Sequence, residues 1–163
     1  MLETIFGPAM GAPLQWQQGP LRLLLAVLLG AVAGFERESQ QHFAGVRTYA
    51  MVALGSAGFA LISCELFEHL LSHAPDTAGH ATRIVSAIVG GVGFLGAGAI
   101  IQAGGRVKGL TTAAGLWAIA AAGAAAGLAL TGVAVVIAVL CLGVLLASPL
   151  DSAAQHVGGR DGD

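Results

Sequence analysis

Long apolar runs separated by short polar segments dominate the chain, and their lengths predict helices that cross a membrane. The runs lie at residues 20–35, 48–67, 84–102, 110–127 and 128–147. A spanning helix needs about 20 mainly apolar residues, which each run approaches. The five prolines lie at the edges of the runs, so each run can form an unbroken helix. The pattern therefore predicts an all-α polytopic membrane protein with about five transmembrane helices, the third rich in glycine.

The segments that flank these runs divide the chain into three parts. We expect an interfacial N-terminal segment at 1–19, a transmembrane helical domain at 20–150 and a short C-terminal tail at 151–163. Because no basic residue precedes Arg22, we expect the first run to be retained rather than cleaved as a secretory signal. The join between the fourth and fifth runs offers almost no polar turn, so those runs are either two helices or one bent or re-entrant element.

Composition excludes a soluble globular domain and most catalytic classes. Apolar residues make up 56% of the chain and charged residues 10%, and the mean hydropathy is +0.81. The pattern contains no nucleophile with a nearby base, no phosphate loop and no basic-aromatic surface for nucleic acid. We therefore expect a protein that is not an enzyme and needs no cofactor. The lipid bilayer is the partner that this composition implies.

The distribution of basic residues predicts the orientation in the membrane. The first and third linkers share most of the lysine and arginine, namely Arg37, Arg47, Arg106 and Lys108. Arg22 and Arg83 lie on the other side together with acidic residues. The positive-inside rule then places these two linkers and the C-terminus in the cytoplasm and the N-terminus outside.

A cluster of charged and hydroxyl residues at the cytoplasmic ends is a candidate site for an anion or a protein partner. Thr48 and either Thr111 or Thr112 are expected to cap the second and fourth helices, whose free N–H groups favour an anion. Arg47 lies at such an end against the dipole preference, which calls for an acidic partner or an anionic ligand. The candidate residues are Glu36, Arg37, Arg47, Thr48, Arg106, Lys108, Thr111 and Thr112. Alternatively, the cations only anchor the topology and Arg47 pairs with Glu36.

Glycine spacing predicts close helix packing. The pairs Gly30/Gly34 and Gly123/Gly127 place small residues one helical turn apart, which suits packing within the molecule or a contact in a homo-oligomer. The third run has more glycine than one packing face needs, and a kink or unwound turn is expected between Gly93 and Gly98, with Gly96 inside it.

An interrupted third helix would also allow another function, a small ion or solute transporter or channel. Backbone carbonyls are tolerated at membrane depth where they line a cavity. Mg²⁺ prefers oxygen ligands, but no carboxylate lies centrally in a predicted span.

One polar group outside the membrane has the residue types of a metal site. Glu65, His69 and His73 share one helical face at positions i, i+4 and i+8. Their spacing matches no established metal motif, so we expect a solvated linker and no bound metal.

Four sequence blocks in a fixed order resemble a known family. They are Gly34-Phe35-Glu36-Arg37-Glu38, Ala44-Gly45-Val46-Arg47-Thr48, Gly93-Phe94-Leu95-Gly96-Ala97-Gly98 and Gly109-Leu110-Thr111-Thr112-Ala113-Ala114. Over roughly residues 22–127 the chain resembles the MgtC/SapB family of bacterial inner-membrane proteins. It departs from the family pattern at Tyr49, where a histidine is common, and at Ala87, where many members have glutamine.

This resemblance implies a regulatory role rather than a reaction. It implies a link to growth at low magnesium and, in intracellular pathogens, to survival inside macrophages. It also implies binding to the membrane part of the ATP synthase. Longer members of the family carry a cytoplasmic C-terminal domain; because only residues 151–163 follow the last run here, we expect a short form.

Overall fold

Five helices and one β-hairpin make up the part of the chain that the structure, a computed structural model, describes: residues 18–71, 80–103 and 106–147. The elements are α1 (Gln18–Ser39), α2 (Val46–Leu71), α3 (His80–Ala99), β1 (Ile101–Ala103), β2 (Arg106–Lys108), α4 (Leu110–Gly127) and α5 (Thr131–Ala147). The predicted all-α membrane architecture is confirmed. The expected C-terminal tail and nearly all of the expected interfacial segment lie outside the described residues.

Three of these helices are long enough and apolar enough to span a membrane. They are Gln18–Ser39, Val46–Leu66 and Leu110–Gly127, while the apolar parts of α3 and α5, Val85–Ala99 and Thr131–Ala147, are shorter. Large apolar side chains such as Leu28, Phe59 and Leu140 point outward and are more than half exposed. An exposed apolar surface of this extent is stable when lipid covers it.

The join between α4 and α5 is a tight turn, so the two runs form separate helices. The Leu130 N–H donates to the Ala125 carbonyl at 2.8 Å, and the Ala129 N–H donates to the Ala126 carbonyl at 3.1 Å. This is the hydrogen-bond pattern of a Schellman motif, which needs one residue in the left-handed region. Ala129 takes that place with φ 63°. The backbone therefore reverses without a polar loop, and α5 packs back against α4 and α1.

Helix α3 is continuous through its glycines, so the predicted unwound turn between Gly93 and Gly98 is wrong. The helix ends at Ala99, three residues before the predicted boundary, and the chain enters the hairpin, where Ile101 pairs with Lys108. Among the described residues from α3 to the start of α4, the conformation requires a glycine directly after the hairpin. Gly109 has φ 90°, and a Cβ there would collide with the Ala99 carbonyl oxygen.

Both glycine pairs pack within the molecule, against α2. A Cβ on Gly30 would lie 2.6 Å from the Tyr49 carbonyl oxygen, and one on Gly34 would lie 2.7 Å from the Val46 Cα. These distances are shorter than real side chains tolerate, so only glycine lets α1 approach this closely.

The glycines of α4 make the same kind of contact further along α2. A Cβ on Gly123 would meet the Ala53 carbonyl oxygen, and one on Gly127 would meet that of Ala57. Alanines fill most of the interior around these contacts, so the helices pack at close range and α4 becomes the most buried of them. Helix α3 lies at the edge, against α2 and α4.

Candidate functional site

Glu36 and Arg37 form a buried charged pair in the last turn of α1. Their side chains are 6% and 3% exposed, and the Arg37 Nη1 atom lies 3.8 Å from the Glu36 Oε2 atom. The Arg37 Nη2 atom donates to the Thr112 hydroxyl at 3.4 Å, and the Gln40 amide donates to Glu36 Oε1 at 2.7 Å. The cluster thus ties the end of α1 to the first turn of α4.

The backbone at the end of α1 positions this pair. The His42 N–H donates to the Arg37 carbonyl at 3.1 Å and the Gln41 N–H to the Glu38 carbonyl at 3.0 Å. Gln41 has φ 58°, so α1 ends in the same Schellman pattern as α4. Arg37 therefore lies in the last helical turn, where the helix dipole favours a cation.

The buried cluster is incompletely hydrogen-bonded within the described residues. Four polar atoms have no hydrogen-bond partner there: Glu36 Oε2, Arg37 Nε, Arg37 Nη1 and the Tyr49 hydroxyl. Tyr49 is fully buried and its hydroxyl lies against Gly115. A guanidinium cannot lose its proton, so the Glu36 carboxylate is what compensates the Arg37 charge.

The predicted threonine caps are wrong. Helix α2 begins at Val46, whose N–H donates to the Glu38 carboxylate at 3.0 Å, so Thr48 lies inside the first turn. Helix α4 has a glycine at its N-cap and no side-chain cap. Thr112 instead accepts the hydrogen bond from Arg37, and Thr111 is exposed. The carboxylate that receives the first N–H of α2 comes from Glu38 in the last turn of α1, and helical spacing gives no signal for it.

Arg47 and Lys108, two further cations of the candidate site, lie outside the cluster. Arg47 is exposed on α2, and no residue of the described ranges pairs with it, so the predicted Arg47–Glu36 pair is wrong. Lys108 is exposed at the end of β2. The backbone of Arg106 lies in β2, but its side chain is outside the described part. The structure thus divides the predicted site into a buried neutral pair and exposed surface cations.

The metal candidates are only partly within the described residues. Glu65 is exposed on α2, whereas the His69 side chain and the whole of His73 lie outside the described part. Among the described residues no three His, Cys, Asp or Glu side chains come together as metal ligands.

Arg22 has a structural partner at the opposite end of the bundle. Its guanidinium donates to the Gly127 carbonyl at 3.4 Å and to the Gln18 side chain at 3.0 Å. A cation at the C-terminus of α4 interacts favourably with the helix dipole. From the charge pattern, Arg22 is only a cation on the side of the membrane that has few basic residues. The sequence gives no sign of its contact with Gly127, because the two residues are 105 positions apart.

His42, in the loop between α1 and α2, lies close to the charged pair. Partial burial lowers the pKa of His42 below its usual 6.5, the Arg37 guanidinium lowers it further, and Glu36 opposes both effects.

Two exposed surfaces of α3 differ in character. One forms, with α2, an apolar groove of about 750 Å³ whose lining includes Met51, Gly55, Phe59, Gly91 and Leu95. The other surface points away from the bundle, and we call it the outer face of α3. It consists of Gly90, Gly93, Phe94 and Gly98. A Cβ on any of its three glycines would meet no atom within 4 Å.

Comparisons with known proteins find relatives similar in sequence over most of the chain. Residues 23–151 match a sequence model of the MgtC family. The chain is similar to Protein MgtC of Salmonella typhimurium (45% identity over 128 residues, 77% of this chain and 51% of the relative). It is also similar to Protein MgtC of Brucella abortus (42% over 119 residues; 73% and 46%).

An uncharacterized protein of Synechocystis is similar over a longer stretch. It shares 39% identity over 144 residues, which cover 88% of this chain and 58% of that protein. The chain thus spans about half the length of the curated relatives it matches. No solved structure matches it.

Proposed function

This chain belongs to the MgtC family, and we therefore propose that it is a regulatory protein of the bacterial inner membrane that serves adaptation to low magnesium. It acts by docking a helix of a membrane partner, and the proposed partner is the membrane part of the ATP synthase. The end of the bundle that carries Arg37, Arg47 and Lys108 faces the cytoplasm, as the excess of basic residues there favours.

The outer face of α3 is the observation that carries this proposal. Glycine inside a helix costs about 0.5–1 kcal/mol relative to alanine, so three exposed glycines weaken α3 without serving a contact within the described molecule. In α1 and α4, by comparison, glycines four positions apart let α2 approach closely. Between membrane helices, close approach through small residues is a main source of association. The outer face of α3 therefore suits a helix from another protein.

Phe94 strengthens this interpretation because it stands among the exposed glycines. Its side chain is 82% exposed. A large aromatic side chain beside a flat glycine surface can insert between the side chains of a partner helix and fix the register of docking. The alternative function, a transporter or channel, rested on an interrupted third helix, and the continuous α3 removes that premise.

Two matched glycine variants test the proposal. Gly93→Leu and Gly143→Leu both replace an exposed helical glycine whose Cβ would meet no atom within 4 Å. Both variants should fold and reach the membrane. In a strain that lacks its own homologue, Gly143→Leu should support growth at limiting magnesium as the unmodified chain does, and Gly93→Leu should not.

A biochemical readout identifies the partner. Inverted membrane vesicles that contain the unmodified chain should show reduced ATP-driven proton pumping, and vesicles with Gly93→Leu should show normal pumping. Equal growth and equal pumping for the two variants, at equal membrane expression, would refute docking through this face. Loss of growth with unchanged pumping would retain the face and reject the ATP synthase as partner.

A further inference from the structure

The groove between α2 and α3 combines an apolar interior with cations at one end. Its α2 wall is a stripe at helical spacing that starts at Thr48 and continues through Met51, Gly55 and Phe59. On α3, Leu95 lines it near the same end as Thr48, because the two helices run in opposite directions. The groove opens sideways between exposed apolar side chains, toward the surface that lipid covers.

Two exposed cations lie at the end of the bundle where α2 begins and α3 ends. Arg47 precedes Met51 by one helical turn and so lies on the same side of α2. Lys108 is exposed on the hairpin that starts directly after α3, beyond Leu95. A cation in the first turn of a helix is electrostatically unfavourable, and no described residue compensates Arg47. An anion at this position would remove that penalty.

We propose that this groove binds one anionic phospholipid, with an acyl chain between α2 and α3 and the headgroup phosphate on Arg47. The Thr48 hydroxyl lines the same end of the groove and supplies a further donor. Arginine suits phosphate because its planar guanidinium can donate two parallel hydrogen bonds. Basic residues at this depth attract anionic headgroups by position alone, and the groove adds a place for the chain. The proposal is independent of docking at the outer face of α3.

Native mass spectrometry of the full chain released from detergent tests the assignment. The probes are dioleoyl phosphatidylglycerol, which is anionic, and dioleoyl phosphatidylethanolamine, which is not. We expect one phosphatidylglycerol to remain bound per chain, and phosphatidylethanolamine to bind more weakly. Arg47→Gln should weaken phosphatidylglycerol binding about fivefold or more, because one basic residue near the surface contributes on the order of 1 kcal/mol.

A second variant tests the groove separately from the charge. Gly55→Leu places a side chain in the groove, and no atom within 4 Å obstructs its Cβ, so the chain should fold and lose the bound lipid. Arg83→Gln and Gly143→Leu are the matched controls, an exposed cation and an exposed glycine outside the groove, and neither should change lipid binding.

Three outcomes would overturn the proposal. One is phosphatidylglycerol binding that survives both Arg47→Gln and Gly55→Leu. Another is displacement of the lipid by inorganic phosphate, which would indicate a site for a free anion. The third is a change in oligomeric mass caused by Gly55→Leu, which would make a second copy of the chain the occupant of the groove.

Discussion

Neutralising Glu36 should destabilise the protein strongly although the substitution changes almost no volume. In Glu36→Gln the Arg37 side chain, which is 3% exposed, stays charged and loses its counterion. At 3.8 Å, two unit charges attract each other by ~4 kcal/mol if the effective dielectric constant is about 20. Breaking a buried pair by removing one partner costs about 3–5 kcal/mol. We expect about 3 kcal/mol, because the pair lies at a helix end rather than at the centre of the bundle.

The companion variants separate the charge effect from packing. Arg37→Met should cost less than Glu36→Gln, because the Gln40 amide still donates to the Glu36 carboxylate, whereas two of the three Arg37 side-chain nitrogens have no hydrogen-bond partner among the described residues. The double variant removes both charges and should be more stable than the sum of the single losses predicts, with a coupling free energy of about 2 kcal/mol. Glu65→Gln, an exposed carboxylate on α2, is the control and should change stability by less than about 0.5 kcal/mol.

The free energy of unfolding can be measured by titrating mixed micelles with dodecyl sulfate and following the helical circular dichroism signal. The double-mutant cycle then gives the coupling directly. A loss below about 1 kcal/mol for Glu36→Gln, or strict additivity of the two substitutions, would refute the interpretation that the carboxylate compensates a buried guanidinium.

Other predictions address packing, topology and pH. Gly123→Ala should destabilise by about 1–3 kcal/mol because its Cβ meets the α2 backbone, whereas Gly143→Ala should be neutral or stabilising; thermal unfolding compares them. A cysteine at Gln41 should resist impermeant thiol reagents in intact cells, and one at Thr77 should react; labelling at 41 would reverse the proposed orientation. Because the pKa of His42 is lowered on folding, its contribution to stability is present above about pH 6.5 and lost as the pH falls through the folded value. Melting temperatures at neutral and acid pH should therefore differ less for His42→Gln, and an unchanged pH dependence would contradict this.

The helices and their packing faces follow from local pattern, and the sequence predicts them well. Apolar length determines where a helix can span, and glycine pairs one turn apart, such as Gly123 and Gly127, mark the faces that approach other helices. The glycines of α3 predict an unwound turn that the structure does not have. In lipid, every backbone group must find an internal partner, which favours a continuous helix even through Gly93 and Gly98.

The polar cluster could not be predicted, because it depends on contacts between distant segments. In the sequence, Arg37 is one of several cations in a basic linker. Its hydrogen bond to Thr112, 75 positions later in the chain, forms only when α4 packs against α1. Spacing suggested that threonines cap the helices, but the Glu38 carboxylate reaches the Val46 N–H across a turn whose left-handed residue is a glutamine. Turns of this kind usually contain glycine, so the pattern gave no signal for them.

Site-specific photo-crosslinking tests the central claim, that the outer face of α3 docks a partner helix. A photoreactive amino acid replaces Phe94 on α3 in one chain and Val144 on α5 in another; the native side chains are 82% and 68% exposed. In cells grown at limiting magnesium, irradiation should link position 94 to a membrane subunit of the ATP synthase and leave position 144 without a protein adduct. Equal protein adducts at both positions, or none at position 94, would contradict the account.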